Sequence, residues 1–371
     1  MEIMVAMIIA LLAMLVTMQV YSLFEGQKRS TTGSADAMNN GAIALYGLQS
    51  AILQSGYGVS SFNLLGCDVV LRGGVTLSNI APVTINHASI TGQDANTDTL
   101  LVVYGTGNGS PEGDKITLQP LGSTNIYAVA TPTSFAVNDL VIAEPQIRPS
   151  PCSVANALRL DRVTVVDATA ATVSVVTGVA GVANGTLFNL GRVPVIQAYA
   201  IRNGNLTVCD YTVNDCGLAA NNINAAIWVP IANNIVSMRA QYGRDTSATM
   251  DAIVDGYSQN TGLGVTGSGA PIFVPVNVQC GWARIPAISL ALLARSAQPE
   301  KPAITPTTAV PTWAGSVTNM AGTPAILGGV PFVLSGTTVP AGLSWQNYRY
   351  KVFETTVAIR NISWKGVATG C

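Results

Sequence analysis

Six cysteines are the residues of this chain with the clearest capacity for chemistry. No CxxC pair occurs among them, and the single histidine, His87, cannot complete a standard zinc set, so the pattern disfavours a metal site. An even number of cysteines in a chain with a membrane anchor favours disulfides in an oxidising compartment. Cys209 and Cys216 close a short loop and form the best-supported pair. The other four residues can pair in three ways, of which we expect Cys67–Cys152 and Cys280–Cys371; free buried thiols are the alternative.

Two further motifs resemble ligand sites but lack essential residues. Gly262–Gly267 fits GxGxxG, yet Ser-Gly-Ala-Pro follows it where a helix would be needed, so we expect a flexible loop. Asp94–Asp98 begins like a calcium loop, but Thr99 replaces the required glycine and Gly105 stands in place of the bidentate glutamate, which favours a turn at a strand edge. The sequence contains no GxSxG, HExxH, Walker or SxxK motif. We therefore predict no enzyme, cofactor or metal.

The composition excludes several classes of protein. Hydrophobic residues make up 49% of the 371 residues and charged residues only 10%, so the chain is not intrinsically disordered. Its 18 basic and 19 acidic residues give a net charge of −1, which offers no electrostatic footprint for nucleic acid. A DNA-uptake role would need a local basic patch created by the fold. The 36 glycines and 19 prolines favour a β-rich, loop-rich body.

The elements that position these residues begin with an apolar helix. Residues 3–24 carry no charge, no proline and no glycine, and a helix of this length spans the roughly 30 Å hydrocarbon core of a membrane. No basic residues precede it and no small-residue cleavage site follows it, which indicates a retained anchor rather than a secretory signal. Lys28 and Arg29 follow the helix; by the positive-inside rule alone they place the rest of the chain in the cytoplasm, whereas the cysteines favour the opposite side.

Helical character extends past the membrane edge. No proline occurs before Pro82, so we predict one helix from about residue 2 to 54, bent or frayed at its glycines; a break at Thr31–Ser34 and a separate second helix is the alternative. Apolar residues recur at steps of three and four, which places them on one stripe that we expect to pack on a sheet. The members of this stripe are Met38, Ala42, Leu45, Leu48 and Ile52.

Short β-type runs between turn residues follow Gly56, and Asn203-Gly204 is a type I′ hairpin signal. We therefore predict an α+β fold, in which residues 1–55 form a transmembrane and amphipathic stalk helix and residues 56–371 form a β-rich head with an antiparallel sheet and long loops. The stretch 299–343 is rich in Pro, Thr, Gly and Ala, and predicts a surface insertion.

The N-terminal residues Met-Glu-Ile-Met-Val-Ala-Met resemble the mature start of type IV prepilin-like proteins. The resemblance implies that a leader and three residues precede Met1, that the new first residue is methylated, and that Glu2 occupies the place of the family's glutamate. Five later blocks are similar to the PilW family of minor pilins, although the insertion at 299–343 has no counterpart in that pattern. The blocks are Ile52–Cys67, Asp94–Gly105, Ile235–Asp245, Ala287–Ser296 and Tyr348–Asn361.

The resemblance implies a structural minor pilin with no catalytic activity, which takes part in starting a type IV pilus as part of a tip or priming complex. Implied partners are other minor pilins, the major pilin, a large tip adhesin and the inner-membrane assembly machinery. It implies a location in the inner membrane with the head in the periplasm, and then in the fibre at the cell surface, with roles in adhesion and twitching motility. A minor pseudopilin of a type II secretion system, or a membrane-anchored periplasmic enzyme or binding protein, is the alternative.

Glu2 is the residue to which the resemblance gives an assembly role. A carboxylate inside a membrane is unfavourable by about 2.5–3.5 kcal/mol at mid-bilayer, and less near the interface. The role implied is pairing with the N-terminal amine of a neighbouring subunit, which would fix the axial register of the fibre because an unpaired buried charge is heavily penalised. An interfacial charge without a partner is the alternative. Small residues at Ala6, Ala10 and Ala13 would allow neighbouring helices to approach closely.

Overall fold

The computed structural model describes residues 2–153, 156–258, 278–300, 302–315, 329–368 and 370–371, apart from the side chains of Glu2 and Arg72. A long helix, α1, precedes a head that contains all the described strands and two short helices. The helices are α1 (Glu2–Gln54), α2 (Val278–Ala283) and α3 (Arg360–Ser363). The strands are β1 (Val69–Val70), β2 (Thr76–Leu77), β3 (Val83–Ile85), β4 (Leu100–Tyr104), β5 (Asp114–Leu118), β6 (Ile126–Val129), β7 (Leu140–Glu144), β8 (Leu158–Asp167), β9 (Thr172–Val175), β10 (Thr186–Gly191), β11 (Val195–Arg202), β12 (Asn205–Asp210), β13 (Val229–Ala232), β14 (Ile235–Arg244), β15 (Gly256–Ser258), β16 (Ala287–Arg295), β17 (Thr312–Trp313), β18 (Val330–Pro331) and β19 (Tyr350–Ala358). The fold is α+β, as the sequence predicts.

Helix α1 is continuous over its 53 residues, which confirms the single long helix and not the break at Thr31–Ser34. Its outer half packs on the head through a stripe that differs from the predicted one. Met38 is 49% exposed and Ala42 is exposed, whereas Leu48 and Ile52 are buried and Leu45 is partly buried. The predicted stripe is therefore wrong at its N-terminal end, because small residues rather than large apolar ones face the sheet there. The buried stripe is Gly33, Ala37, Gly41, Ala44, Leu48, Ala51 and Ile52.

Two antiparallel sheets form the platform for α1. One has the strand order β13-β12-β11-β4-β3, and the other β15-β14-β16-β19. Strand β4 of the first sheet is buried on both faces: Leu100 and Val102 join the core shared with α1, while Leu101 and Val103 join a second core on the opposite face. The head therefore has three layers where it is thickest, with α1 on one side only.

The third layer is a closed ring of six strands, β5 to β10, that the sequence analysis does not anticipate. Each strand pairs with two others in the circular order β5-β6-β9-β8-β7-β10. Its interior is filled by buried valines and by the side chain of Tyr127. The chain leaves the first sheet at Tyr104 and returns at Val195, and these two residues pair directly. The ring is therefore an insertion between two neighbouring strands.

The stretch 299–343 lies against the second sheet as far as it is described. Its strands β17 and β18 pair, and Trp313 and Phe332 pack with Ala291 and Leu293 on the sheet face opposite to α1. Trp313 is buried, so this segment is more than a surface loop: it covers apolar residues of β14 and β16.

Candidate functional site

The N-terminal half of α1 is the most unusual surface of the described part of the molecule. Every large apolar side chain from Ile3 to Phe24 is exposed in the isolated chain. Exposing this much apolar surface to water is unfavourable by about 25 cal/mol for each Å². The hydroxyls of Thr17 and Ser22 donate to main-chain carbonyls within the helix, at 2.9 Å to Met14 and to Gln19, so they need no water. This segment is long and apolar enough to span a membrane, as the sequence predicts.

The charged residues at the end of the apolar segment mark a polar boundary. Glu25 and Arg29 form an (i, i+4) ion pair at 3.5 Å, with both side chains about half exposed. Such a pair in water contributes little to stability. Glu2 begins α1, and its side chain lies outside the described part of the structure.

The junction between α1 and the second sheet depends on two glycines. A Cβ atom added at Gly33 would lie 3.2 Å from the Cβ of Ser296. One added at Gly41 would lie 2.7 Å from Cζ of Phe353 and closer still to two other atoms of the ring. The helix backbone therefore rests directly on the residues of β19 and on the end of β16. This close approach fixes the direction in which the apolar half of α1 leaves the head.

The distal end of α1 is anchored by the C-terminal part of the chain. The Asn361 side chain donates to the main-chain carbonyls of Gln54 and Ser55, which no longer have helical partners. Gly56 follows with a φ of 87°, a conformation that glycine adopts without strain, and its N–H donates to Val103 of β4. The end of the helix is thus tied to α3 and to the first sheet.

The structure contains three disulfides, which join the same three pairs that the sequence analysis names. Cys67–Cys152 links the loop after α1 to the loop between β7 and β8, Cys209–Cys216 closes a short loop after β12, and Cys280–Cys371 ties α2 to the C-terminal segment. The six cysteines are buried or nearly so. They therefore frame the head and are not exposed as reactive groups.

A buried ion pair reinforces the last disulfide. Arg284 and Asp245 lie 3.3 Å apart, and neither side chain is exposed. Arg284 also donates to the main-chain oxygens of Ser247 and Cys371. The Asp245 carboxylate accepts further hydrogen bonds from the N–H groups of Ser247, Asp251 and Ala252. Both charges are thus satisfied, as burial requires.

His87 and Asp94 also have structural roles. His87 is buried; its Nε2 donates to the Ser78 carbonyl at 2.9 Å, and its Nδ1 accepts from the Ser89 N–H at 3.2 Å. Burial lowers the pKa of His87, because the charged form loses its hydration. The Asp94 carboxylate accepts from the N–H groups of Asn203 and Gly204, so it holds the predicted hairpin turn rather than a cation.

The Asn203-Gly204 turn itself is confirmed. Both residues have positive φ, and Arg202 pairs with Asn205 across a two-residue loop.

The GxGxxG sequence at 262–267 lies outside the described residues. Within the part of the chain that the structure describes, His, Cys, Asp and Glu side chains form no group of three that could hold a metal ion.

What the sequence reasoning missed is the role of the small residues on α1. Gly33, Ala37 and Gly41 repeat every four residues, which is the spacing of one helix face. This repeat is the signal that would have identified the contact face, since a helix approaches a sheet most closely where its side chains are smallest.

Comparison with known proteins gives one match. Residues 199–361 match the family model described as type IV pilus-assembly protein W. No curated protein and no solved structure matches the chain. The matched residues run from β11 to α3, so they contain the second sheet on which α1 rests, whereas the six-stranded ring lies before them.

Proposed function

We propose, from the match of residues 199–361 to the family described as type IV pilus-assembly protein W, that the chain is a minor pilin of type IV pilus assembly that acts in the tip or priming complex from which a fibre grows. The observation that carries the proposal is the continuous α1 helix. Its apolar half is exposed, while its other half is packed tightly on the second sheet. A subunit built in this way can be held in a membrane and then added to a bundle of similar helices without refolding its head.

The proposal includes the orientation of the chain. The head lies in the periplasm before assembly, because three disulfides suit an oxidising compartment. After assembly the head lies on the fibre surface, and its partners are other minor pilins, the major pilin and a large tip adhesin. No catalytic step is required of the head.

Glu2 is the residue that we propose aligns the subunit in the fibre. Its carboxylate would pair with the N-terminal amine of a neighbouring subunit, within the apolar helix bundle. In that environment the loss of one partner leaves a buried charge uncompensated, which is unfavourable by about 3–5 kcal/mol. A Glu2→Ala variant should therefore insert into the membrane but enter fibres poorly.

The experiment compares sheared surface fibres with inner membranes from cells that carry the natural chain, Glu2→Ala or Glu25→Ala. Glu25 is the matched control, since it is an exposed carboxylate of the same helix whose ion pair is worth little. We expect natural chain and Glu25→Ala in both fractions, with gold-labelled antibody at fibre ends, and Glu2→Ala in membranes only. Mass spectrometry of the N-terminal peptide from each fraction reports leader removal and methylation.

Three results would contradict the proposal. The natural chain found only in membranes with an unprocessed N-terminus would exclude incorporation into the fibre. Labelling along the whole fibre would exclude a tip position. Equal loss of Glu2→Ala and Glu25→Ala from fibres would exclude a specific role for Glu2.

A further inference from the structure

A small cleft on the outside of the six-stranded ring contains two arginines that the pilus function does not use. It has a volume of about 210 Å³ and lies where the β1–β2 hairpin meets β8. Strand β1 pairs with β8 so that Val70 is opposite Arg159, and the turn between β1 and β2 forms one wall. Arg159 and Arg162 of β8 both line this cleft.

The two guanidinium groups have no bound acceptor within the described residues. Neither side chain forms a hydrogen bond or an ion pair there; Arg159 is half-buried and Arg162 is exposed. Other arginines of the head are bound differently: Arg148, Arg202 and Arg284 each donate to main-chain carbonyls. Arginine presents five donors in a planar fork that fits phosphate oxygens.

Asp161 lines the same cleft but does not neutralise these arginines by pairing with them. Its Oδ1 accepts from the N–H of Arg162, and its Oδ2 accepts from the N–H groups of Thr177 and Gly178 at 2.9 and 2.6 Å. Asp161 is buried, and its oxygens are turned to the main chain. The two arginines and this one carboxylate leave the cleft with a positive balance.

The opposite wall is bare backbone. Gly73 and Gly74 have φ values of 82° and 86°, and both are exposed. No atom lies within 4 Å of the position where a Cβ of either residue would stand, so the glycines are needed for their backbone conformation and leave the wall open to a ligand. The Gly74 N–H donates to the Leu71 carbonyl within the turn, so the main-chain N–H group that this wall can contribute to anion binding is that of Gly73. The Thr177 side chain lines the cleft as well.

We propose that this cleft binds a phosphate-type oxyanion, held between the Arg159 and Arg162 guanidinium groups and the Gly73–Gly74 backbone. The volume of about 210 Å³ is sufficient for a single phosphate group together with several waters. The group can come as the free anion or as a phosphate ester on a headgroup. The site does not depend on the pilus role, because the ring lies outside the residues that match the PilW family.

The test uses the full chain in micelles of a non-ionic, phosphate-free detergent. Binding of inorganic phosphate and of glycerol phosphate is followed by calorimetry and by phosphorus NMR, with chloride replacing phosphate at constant ionic strength. The variants are Arg159→Gln, Arg162→Gln and Arg159→Lys. Arg192→Gln is the matched control, because Arg192 is an exposed arginine that follows the ring and lies away from this cleft.

We expect saturable binding that each of Arg159→Gln and Arg162→Gln weakens by about tenfold or more, since a hydrogen bond to a charged group is lost. Arg159→Lys should weaken it less than Arg159→Gln, because the charge remains and the fork is lost. Arg192→Gln should bind as the natural chain does. Tighter binding of glycerol phosphate would identify an ester as the ligand, and equal or weaker binding would identify the free anion.

Two results would overturn the proposal. The first is the absence of saturable binding of either compound to a natural chain whose thermal unfolding shows it to be folded. The second is an equal loss of binding in Arg192→Gln, which would indicate general attraction of anions to the surface rather than a site. Thermal unfolding of each variant separates loss of binding from loss of the fold.

Discussion

The ring of Phe353 lies directly against the backbone of Gly41, so that no Cβ atom fits between the stalk helix and strand β19. This contact joins the helix that carries the apolar segment to a strand residue that lies 312 positions after Gly41 in the sequence. The orientation of the apolar half of α1 relative to the head therefore depends on a residue without a side chain.

Replacing Gly41 tests this contact. Gly41→Ala introduces a Cβ that would lie 2.7 Å or less from three atoms of the Phe353 ring, and such overpacking lowers the free energy of unfolding by about 1–3 kcal/mol. Gly47→Ala is the control: no atom lies within 4 Å of its Cβ position, and alanine favours a helix over glycine by about 1 kcal/mol. Urea unfolding in detergent micelles should show opposite signs for the two variants.

A second substitution distinguishes this clash from a general sensitivity of the helix. In a Gly41→Ala/Phe353→Leu variant the smaller side chain makes room for the new methyl group, so the two changes together should destabilise less than the sum of their separate effects. Purely additive effects would contradict direct packing of Gly41 on Phe353.

Much of the stalk could be predicted from the sequence, and its contact face could not. The absence of charge, proline and glycine from residues 3–24 defines the apolar segment, and the absence of proline before Pro82 allows one helix to Gln54. The predicted stripe is wrong at Met38 because the sheet contacts the small residues of the helix there and not its large apolar ones. At Gly33 and Gly41 the sheet lies so close to the helix that a side chain does not fit. Hydrophobic periodicity does not detect this requirement for small residues.

The ring was not predicted because its closure depends on distant pairings. Strand β4 ends at Tyr104 and its partner β11 begins at Val195, and nothing in either strand indicates that a closed module separates them. Local signals succeeded where the structure is local: Asn203-Gly204 gives its hairpin through the φ values of two residues. The anion cleft has the same long-range origin, since Gly73 and Arg159 are brought together only by the pairing of β1 with β8.

Two of the three disulfides, Cys67–Cys152 and Cys209–Cys216, should differ clearly in their effect on stability. Cys67–Cys152 spans 85 positions and Cys209–Cys216 spans 7. In the chain-entropy model the longer loop contributes about 4.5 kcal/mol and the shorter about 2.5 kcal/mol. Replacing both members of each pair by alanine and measuring urea unfolding should therefore reduce the free energy of unfolding more for Cys67–Cys152. A larger loss of unfolding free energy at Cys209–Cys216 would indicate that the buried packing of this disulfide contributes more than the entropy of loop closure.

His87 should make the stability of the head depend on pH below about 6.5. Its pKa in the folded state is lowered by burial, so the unfolded chain binds a proton more readily than the folded one. The contribution of His87 is therefore complete above pH 6.5 and is lost as the pH falls through that value toward the folded-state pKa. Each tenfold difference in proton affinity corresponds to about 1.4 kcal/mol.

The His87→Gln variant isolates this effect, because His87 is the only histidine and a glutamine can still donate to Ser78 and accept from Ser89. Buried Glu144, whose pKa is raised by burial, remains in both proteins and cancels in the comparison. When the pH is lowered from 7 to 5, the unfolding free energy of the natural chain should decrease more than that of His87→Gln. A constant difference would show that His87 takes up its proton equally in both states.

The buried Arg284–Asp245 pair should be far more sensitive to loss of one partner than an exposed pair of similar geometry. Arg284→Met leaves the Asp245 carboxylate buried without its counter-charge and removes the donors to Cys371, which is unfavourable by about 3–5 kcal/mol. The comparison is Arg349→Met, which breaks the 2.6 Å pair with Glu300 at a side chain that is 48% exposed and should change stability by less than about 1 kcal/mol. Adding Asp245→Asn to Arg284→Met removes the stranded charge, so the double variant should regain part of the loss. If the double variant is instead destabilised by the sum of the two single effects, the hydrogen bonds of Asp245 to the main chain stabilise this region more than its charge pairing does.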